Sequence, residues 1–265
     1  MQREQSTELI ATSGWLGGSK TTRVDASELS HRELNTKLRA LVSTGVQKIE
    51  LLNVSGQRYI GTGLRAPVEI DIFGTPGNDL GAFMDGAKVV VYGNAQDGCG
   101  NTMNSGEIVI HGHAGDILGL SARGGKLFVK ENVGYRAGIH MKEYVDKKPM
   151  IVIGGTAQDF LGEYMAGGVL MVLGLGLKEG ERHRTNFVAT GMHGGVIYLR
   201  GQIEQFQLGK EVGVAEPDKV DYLVIHQLVA EFAYHFGYDA EKILQDRFIK
   251  LFPLYLRPYG RLYAY

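Results

Sequence analysis

The sequence predicts a mainly β protein, a single-stranded right-handed parallel β-helix of about seven coils with α-helical caps at both ends. Three observations lead to this prediction: an excess of glycine, a repeat near 19 residues, and short β-branched runs between the glycines. Glycine accounts for 38 of the 265 residues, whereas proline accounts for only 6. The glycine content is about twice the usual value of about 7%, so the positions of the glycines in the sequence need an explanation.

The glycines recur at fixed offsets in a unit of strand, turn, corner and strand. From Gly81 to Gly191, the glycines that close successive corners are spaced by 19, 19, 19, 24 and 29 residues. A sharp corner favours a positive φ, which glycine adopts without a clash of a Cβ atom. We expect structural corner glycines at Gly61, Gly81, Gly100, Gly119, Gly138, Gly162 and Gly191.

The runs between the corners are VVVY, IVIH, LFVK and IVIG, which are typical of buried parallel strands. A unit of 19 residues is too short to hold a helical crossover, so the strands stack as turns of a solenoid. Helical patterns flank the repeats and divide the chain into 1–47, an N-terminal segment with a capping helix; 48–214, the parallel β-helix; and 215–265, a C-terminal helical cap and tail.

The predicted caps have clear boundaries. Ser30 and Glu33 form a capping box that starts the first helix, which we expect to cover the first coil. One helix follows Pro217, and a second is predicted from Asp239 to Pro253. These caps would protect the two ends of the solenoid from solvent.

Composition limits the functions of this chain. The 28 basic and 29 acidic residues are interspersed, so neither nucleic acid nor a membrane is an expected partner. No apolar run is long enough to cross a bilayer, and the single cysteine, Cys99, fits a reducing, cytoplasmic setting. A lone cysteine cannot by itself hold an iron–sulfur cluster, and we predict no catalytic, cofactor-binding or metal-binding residue in this chain.

Other motifs carry weaker signals. The segment from Gly14 to Thr21 resembles a phosphate-binding loop but lacks the preceding strand that such a loop needs. His111 and His113 have the spacing of two metal ligands on a strand, yet no third ligand is evident. Asp97, Asp116 and Asp159 recur at one offset of the repeat, which favours Asx turns that cap backbone N–H groups over a catalytic carboxylate pair.

Two charged insertions interrupt the repeats, KEYVDKKP at 142–149 and LKEGERHRTN at 177–186. Insertions in a solenoid form surface loops, often on a binding face. The chain also ends in an aromatic and arginine-rich segment typical of interfaces. Candidate residues for docking a partner are Lys142, Tyr144, Asp146, Arg182, Arg184, Arg257 and Tyr259.

The corners with the pattern GxxGxxxG resemble the GXGXG domain, the third domain of the large subunit of glutamate synthase. The segments NVSGQRYIGTGL, VGYRAGIHMKEYVDKKP, GDILGLSARGGKLFV and ATGMHGGVIYLRG, together with the terminal RPYG, resemble its separately encoded archaeal-type form. This resemblance covers most of the chain. It implies a structural subunit in a hetero-oligomer with a glutaminase (amidotransferase) subunit and a synthase subunit.

In that enzyme the partners convert glutamine and 2-oxoglutarate to glutamate, so the resemblance places FMN and an iron–sulfur cluster in the synthase subunit. The family's glutaminase uses an amino-terminal cysteine, whereas residue 2 here is Gln2. Two alternatives remain open. One is a scaffold like the β-helical subunit of formylmethanofuran dehydrogenase, or of a formyltransferase/hydrolase complex, which the chain resembles more distantly; the other is a free-standing β-helical hydrolase or lyase.

Overall fold

The computed structural model describes residues 21–255 and contains strands, three α-helices and one short 3-10 helix. The strands are β1 (Thr21–Asp25), β2 (Lys48–Ser55), β3 (Glu69–Thr75), β4 (Asp85–Tyr92), β5 (Ser105–Ile110), β6 (Lys126–Val129), β7 (Met150–Ile153), β8 (Ala166–Val172), β9 (Gly194–Arg200), β10 (Val212–Ala215) and β11 (Phe248–Pro253). The helices are α1 (His31–Ser43), α2 (Lys219–Phe236), α3 (Ala240–Leu244) and the 3-10 helix Gln205–Gln207.

All the strands in the described part of the chain form one sheet in the order β1-β2-β3-β4-β5-β6-β7-β8-β9-β11-β10. Strands β1 to β9 pair in parallel with their sequence neighbours. The pairing keeps one register, so that Ile70 lies beside Val89, Val89 beside Ile108, and Ile108 beside Leu127. The parallel β-helix predicted from the repeat is therefore confirmed.

The register also fixes which side chains form the core. Side chains alternate across a strand, so Val89 and Val91 point into the solenoid while Val90 points outward. Equivalent inward positions are filled by Ile, Val and Leu in each coil and are fully buried. At the corners, small residues such as Cys99 and Ala122 complete the interior.

The corner glycines adopt a left-handed backbone. The φ angles of Gly61, Gly81, Gly100, Gly119, Gly138 and Gly162 lie between 65° and 75°. The N–H of Gly119 donates to the carbonyl oxygen of Cys99 in the preceding coil at 2.8 Å, and the others except Gly61 bond in the same way. The corners from Gly81 to Gly162 are thus held by hydrogen bonds along the axis of the solenoid.

Gly191 does not occupy the equivalent position, although its φ is also positive at 70°. The residue that continues the column is Ala189, with φ of 57°, whose N–H donates to the carbonyl oxygen of Leu161 at 2.7 Å. The prediction of Gly191 as a corner glycine is therefore wrong, because the repeat places alanine instead of glycine at this corner. The spacing from Gly162 is 27 residues rather than 29, since 189 − 162 = 27.

The recurring aspartates bond between coils rather than within their own turns. Oδ1 of Asp97 accepts the N–H of Asp116 at 2.9 Å, and Oδ1 of Asp116 accepts the N–H of Tyr135 at 2.8 Å. Oδ1 of Asp159 accepts the N–H of Asn186 at 2.8 Å. The predicted capping of backbone N–H groups is present, but the local Asx-turn geometry was wrong.

The helix α1 covers the first coil as predicted, starting from the capping box of Ser30 and Glu33. Its buried Leu34 and Leu38 join the interior of the solenoid. The side-chain amide of Asn35 also donates to the carbonyl oxygen of Arg58, at 2.9 Å. The helix therefore closes the open end with apolar contacts and a hydrogen bond to the next coil.

The C-terminal segment differs from the prediction in two ways. Helix α2 lies along the outer face of the sheet, where Ile225, Leu228 and Phe232 pack against outward side chains from Val90 to Tyr198. The second predicted helix ends early, because α3 stops at Leu244 and residues 248–253 form strand β11. Strand β11 pairs antiparallel with β9 and β10 and extends the sheet instead of capping it with a helix.

The corner geometry predicts a large effect of Gly119→Val. A Cβ atom on Gly119 would overlap Cδ1 of Ile151, so the substitution adds overpacking of about 1–3 kcal/mol. The positive φ adds strain of about 1–3 kcal/mol. Gly63 has a similar φ of 66° and no atom within 4 Å of such a Cβ, so Gly63→Val isolates the backbone strain.

Urea unfolding of both variants should show that Gly119→Val loses more free energy of unfolding than Gly63→Val. The difference should shrink when Ile151→Val removes the overlapping methyl group, because the overpacking then disappears. Equal losses at the two glycines, with no coupling to Ile151, would contradict the stacked-corner geometry.

Candidate docking surface

Two columns of residues flank the corner glycines, two positions before and two positions after them. Both columns have positive φ even where the residue is not glycine, as at Arg136 (59°), Phe160 (65°) and Tyr164 (51°). Bulky residues rarely adopt this backbone, which costs of order 1–3 kcal/mol. The stacking of the coils imposes the conformation, because each of these N–H groups bonds to the following coil.

The column before the glycines ends in a stack of large side chains. The guanidinium of Arg136 lies 4.8 Å from the ring centre of Phe160, and the rings of Phe160 and Phe187 stack with centres 4.9 Å apart. Nε of Arg136 also donates to Oε2 of Glu163 at 3.0 Å. Phe187 remains 54% exposed although it is a large apolar residue.

The column after the glycines forms a parallel stack. The rings of His140 and Tyr164 lie 5.4 Å apart with an interplanar angle of 9°. Tyr164 is 46% exposed, and a Cβ atom at Gly191 would overlap its ring. Gly191 is therefore required because the ring of Tyr164 leaves no room for a side chain, whereas the corner glycines are required at the turns of the coils.

We define the corner surface as the five residues of these two stacks: Arg136, His140, Phe160, Tyr164 and Phe187. Aromatic residues and arginine are enriched in protein interfaces relative to the rest of the protein surface. Stacking holds these side chains in place before any partner arrives, which lowers the entropic cost of binding. The surface is suited to docking an apolar or acidic patch of another protein.

The first insertion, 142–149, folds into a tight turn with Tyr144 and Lys147 bridged across it. Arg123 lies 5.9 Å from the ring centre of Tyr144, and Nζ of Lys147 is 3.2 Å from Oδ1 of Asp85. The N–H of the predicted docking residue Lys142 donates to the carbonyl oxygen of Ala122 at 2.9 Å. Within this turn, the exposed fraction of Val145 is 87%, and Asp146 is also exposed.

The second insertion, 177–186, is more integrated into the fold than a solvated loop. Arg182 lies 5.3 Å from the ring centre of Phe206, and Arg184 pairs with Glu181 at 2.8 Å. Between them His183 is only 1% exposed, and its Nε2 is 2.9 Å from the carbonyl oxygen of Arg200. Burial lowers the pKa of His183, chiefly because the charged imidazolium would lose its solvation.

The two insertions contact different coils and do not form one patch, although each is next to the corner surface along the chain. Lys142 follows His140 by two residues, and Arg184 precedes Phe187 by three. Arg257 and Tyr259 lie outside the described residues, as do residues 14–20 of the segment from Gly14 to Thr21 that resembles a phosphate-binding loop. The corner surface itself was not predicted, because in the sequence the positions beside the glycines resemble ordinary turn residues.

The weaker motifs have structural explanations. Cys99 is fully buried, which raises the pKa of its thiol to about 12. His111 stacks on Tyr92 with ring centres 5.1 Å apart, whereas Nε2 of His113 pairs with Glu131 at 2.7 Å. Among residues 21–255 there is no group of three His, Cys, Asp or Glu side chains that could hold a metal ion. No helix in this described part is long and apolar enough to cross a membrane.

The sequence pattern of the GXGXG motif matches residues 42–256, which include β2 to β11. The chain belongs to the GXGXG family. An uncharacterized protein of Methanocaldococcus jannaschii is 45% identical over 255 residues, covering 93% of this chain and 98% of that protein.

The fold of this GXGXG protein is also similar to a solved structure. A chain of the formyltransferase/hydrolase complex from Methylorubrum extorquens, solved in complex with methylofuran, aligns with a TM-score of 0.53. The alignment covers 87% of this chain and 89% of that chain at 20% sequence identity. At this identity the likeness shows a common fold.

Replacing Asp146 in the exposed turn should not affect stability. Its side chain is exposed at the tip of the first insertion, so Asp146→Ala should change the free energy of unfolding by less than about 0.5 kcal/mol. Urea unfolding of this variant checks the expectation. A larger loss would show that the turn supports the coils beneath it.

Stability should fall in mild acid because of His183. The pKa of His183 in the folded chain lies below the unfolded value of about 6.5, so the unfolded chain binds more protons. The stabilisation is complete above about pH 6.5 and is lost as pH falls towards the folded pKa. His183→Gln should flatten this pH dependence in urea unfolding; a pH dependence as steep as that of the unmodified chain would contradict this contribution from His183.

Proposed function

We propose that this chain is a structural scaffold subunit of a cytoplasmic, multi-subunit glutamate synthase. It would bind the glutaminase subunit and the FMN and iron–sulfur synthase subunit, which together convert glutamine and 2-oxoglutarate to glutamate. The observation that carries the proposal is the corner surface: a solenoid of the GXGXG family presents a preorganised aromatic and cationic stack to solvent. The resemblance of the long motifs to the separately encoded archaeal-type domain favours glutamate synthase as the complex.

In this proposal the chain holds its partner subunits in fixed positions and carries out no reaction itself. A solenoid held by hydrogen bonds along its axis is stiff, so two partners bound to it keep a fixed separation. Arg136, paired with Glu163 and stacked on Phe160, would offer its remaining N–H groups to an acidic partner residue. The turn with Val145 and the insertion with Arg182 and Arg184 extend the docking area on neighbouring coils.

A second candidate is a scaffold subunit of a formyltransferase/hydrolase complex or of a formylmethanofuran dehydrogenase. It is favoured by the shared fold over 87% of this chain. Both candidates require the same kind of docking surface, so only the identity of the bound partners separates them.

A free-standing β-helical hydrolase or lyase is a less favoured alternative. Such an enzyme needs carboxylates free to act as acid and base. Here Asp97, Asp116 and Asp159 each accept a backbone N–H from the following coil, so the recurring aspartates already have a structural role.

Affinity purification from the native host, followed by mass spectrometry, tests the proposal. We expect a glutaminase and a flavin-containing synthase to co-purify with the tagged chain; formyl-transferring subunits would favour the second candidate. Phe187→Asp should reduce the recovery of at least one partner by tenfold or more, on the order of a hot-spot loss of 1.4 kcal/mol. Phe83→Asp, at a site 53% exposed in the column after the glycines, is the matched control.

Recovery of the chain without any stable companion would contradict the scaffold proposal. Partners retained equally by the Phe187 variant and by the control would leave the scaffold role standing but would exclude the corner surface as the docking site.

A further inference from the structure

Helix α2 has two apolar stripes, and the fold covers only one of them. The inner stripe, with Ile225, Leu228, Val229 and Phe232, packs on the outer face of the sheet. The other stripe consists of Val220, Leu223, Gln227, Ala230 and Tyr234, all exposed. Val220, Leu223 and Tyr234 are 68%, 72% and 85% exposed.

The other helix of comparable length behaves differently. The exposed positions of α1 are mostly polar and include Arg32, Thr36, Lys37 and Arg39. Surface helices usually have this pattern, whereas a helix that is apolar on both faces is covered on both. The outer stripe of α2 is therefore a contact surface that the described chain leaves open.

The spacing of this stripe is specific. Its residues follow one another by three, four, three and four positions, which is the spacing of a helix seam that packs against a second helix. Charged side chains are absent from the stripe itself, so it suits an uncharged apolar surface, such as another helix, on a partner. This chain carries such a helix in α2.

We propose that α2 pairs antiparallel with α2 of a second copy of this chain, forming a twofold-symmetric dimer. In the symmetric register Leu223 packs against Tyr234 of the second copy, and Tyr234 against its Leu223. Gln227 and Ala230, the smaller or polar members, then lie opposite each other near the axis. The stripe is self-complementary, as a twofold interface requires.

Charge and space are consistent with this pairing. The net charge of the chain is −1, so two copies have little overall repulsion to overcome. Antiparallel helices also bring opposite ends of their dipoles together. A groove lined by Lys88, Glu107 and Lys126 runs beside Tyr234, and it gives room for the side chains of the second copy.

The expected strength follows from the size of the contact. Helix α2 has 18 residues, and such a helix is about 27 Å long. A single pair of helices this long buries less than about 1,200 Å², at the low end for specific complexes. We therefore expect a dimer that dissociates in the micromolar range, and that forms independently of the partners in the proposed function.

Sedimentation velocity of the full chain, from about 1 to 200 µM, should show a concentration-dependent shift from monomer to dimer. Leu223→Asp should abolish the shift by placing a charge in the seam. Val145→Asp makes the same change at another exposed apolar site and should leave the dimer intact. A monomer at every concentration, or a dimer insensitive to Leu223→Asp, overturns the proposal.

Disulfide formation tests the orientation, because the natural Cys99 is fully buried. A mixture of the Leu223→Cys and Tyr234→Cys variants should form a mixed disulfide on oxidation, since these residues face each other in the antiparallel register. Either variant alone should cross-link poorly, because its two copies lie about 16 Å apart along the helix axes. Efficient cross-linking of each single variant with itself would indicate parallel helices and overturn the antiparallel dimer.

Discussion

The interaction on which this structure depends is the hydrogen bond between stacked corners. At each corner from Gly81 to Gly162, an N–H group donates to a carbonyl oxygen of the preceding coil at 2.8 Å. That bond forms only where the chain adopts a left-handed backbone, so the repeat requires glycine or accepts a strained residue. Glycine weakens an isolated strand or helix, and only the stacking of neighbouring coils offsets its conformational entropy.

The same constraint creates the surfaces of the molecule. A constant register places equivalent positions of successive coils in straight columns, and side chains in one column contact each other. One column alternates in charge from Lys48 through Glu69, Lys88 and Glu107 to Lys126, with ion pairs of 2.7 Å and 2.9 Å within it. A second column of outward-facing side chains lies beside the charged one. It is apolar from Val90 to Tyr198, and helix α2 packs against these apolar residues.

Most of the fold could be predicted from the repeat, because the spacing of the glycines indicates the corners and the β-branched runs indicate the strands. The prediction failed where a residue other than glycine occupies a corner, as Ala189 does. The position of α2 also escaped prediction: its inner stripe was visible in the sequence, but the apolar column it covers is spread over strands β4 to β9. Phe248 to Pro253 carried a helical pattern that pairing with β9 overrode.

The charge of the two insertions predicted exposed docking loops, but the structure differs from this prediction in the second insertion. Insertions are easy to find in a repeat, yet His183 in the second insertion is buried and anchors it. The corner surface depends on Phe160 and Phe187 meeting across 27 residues of sequence, since 187 − 160 = 27. Only the alignment of the coils in space brings these rings together.

Amide hydrogen exchange tests the central claim most directly. If axial hydrogen bonds at the corners hold the solenoid, the amides of Gly100, Gly119 and Gly138 should exchange as slowly as those of the buried strands β5 and β6. The amides of the turn at 144–147 should exchange much faster. Corner amides that exchange as fast as this turn would show that the corners open locally, and would contradict the account.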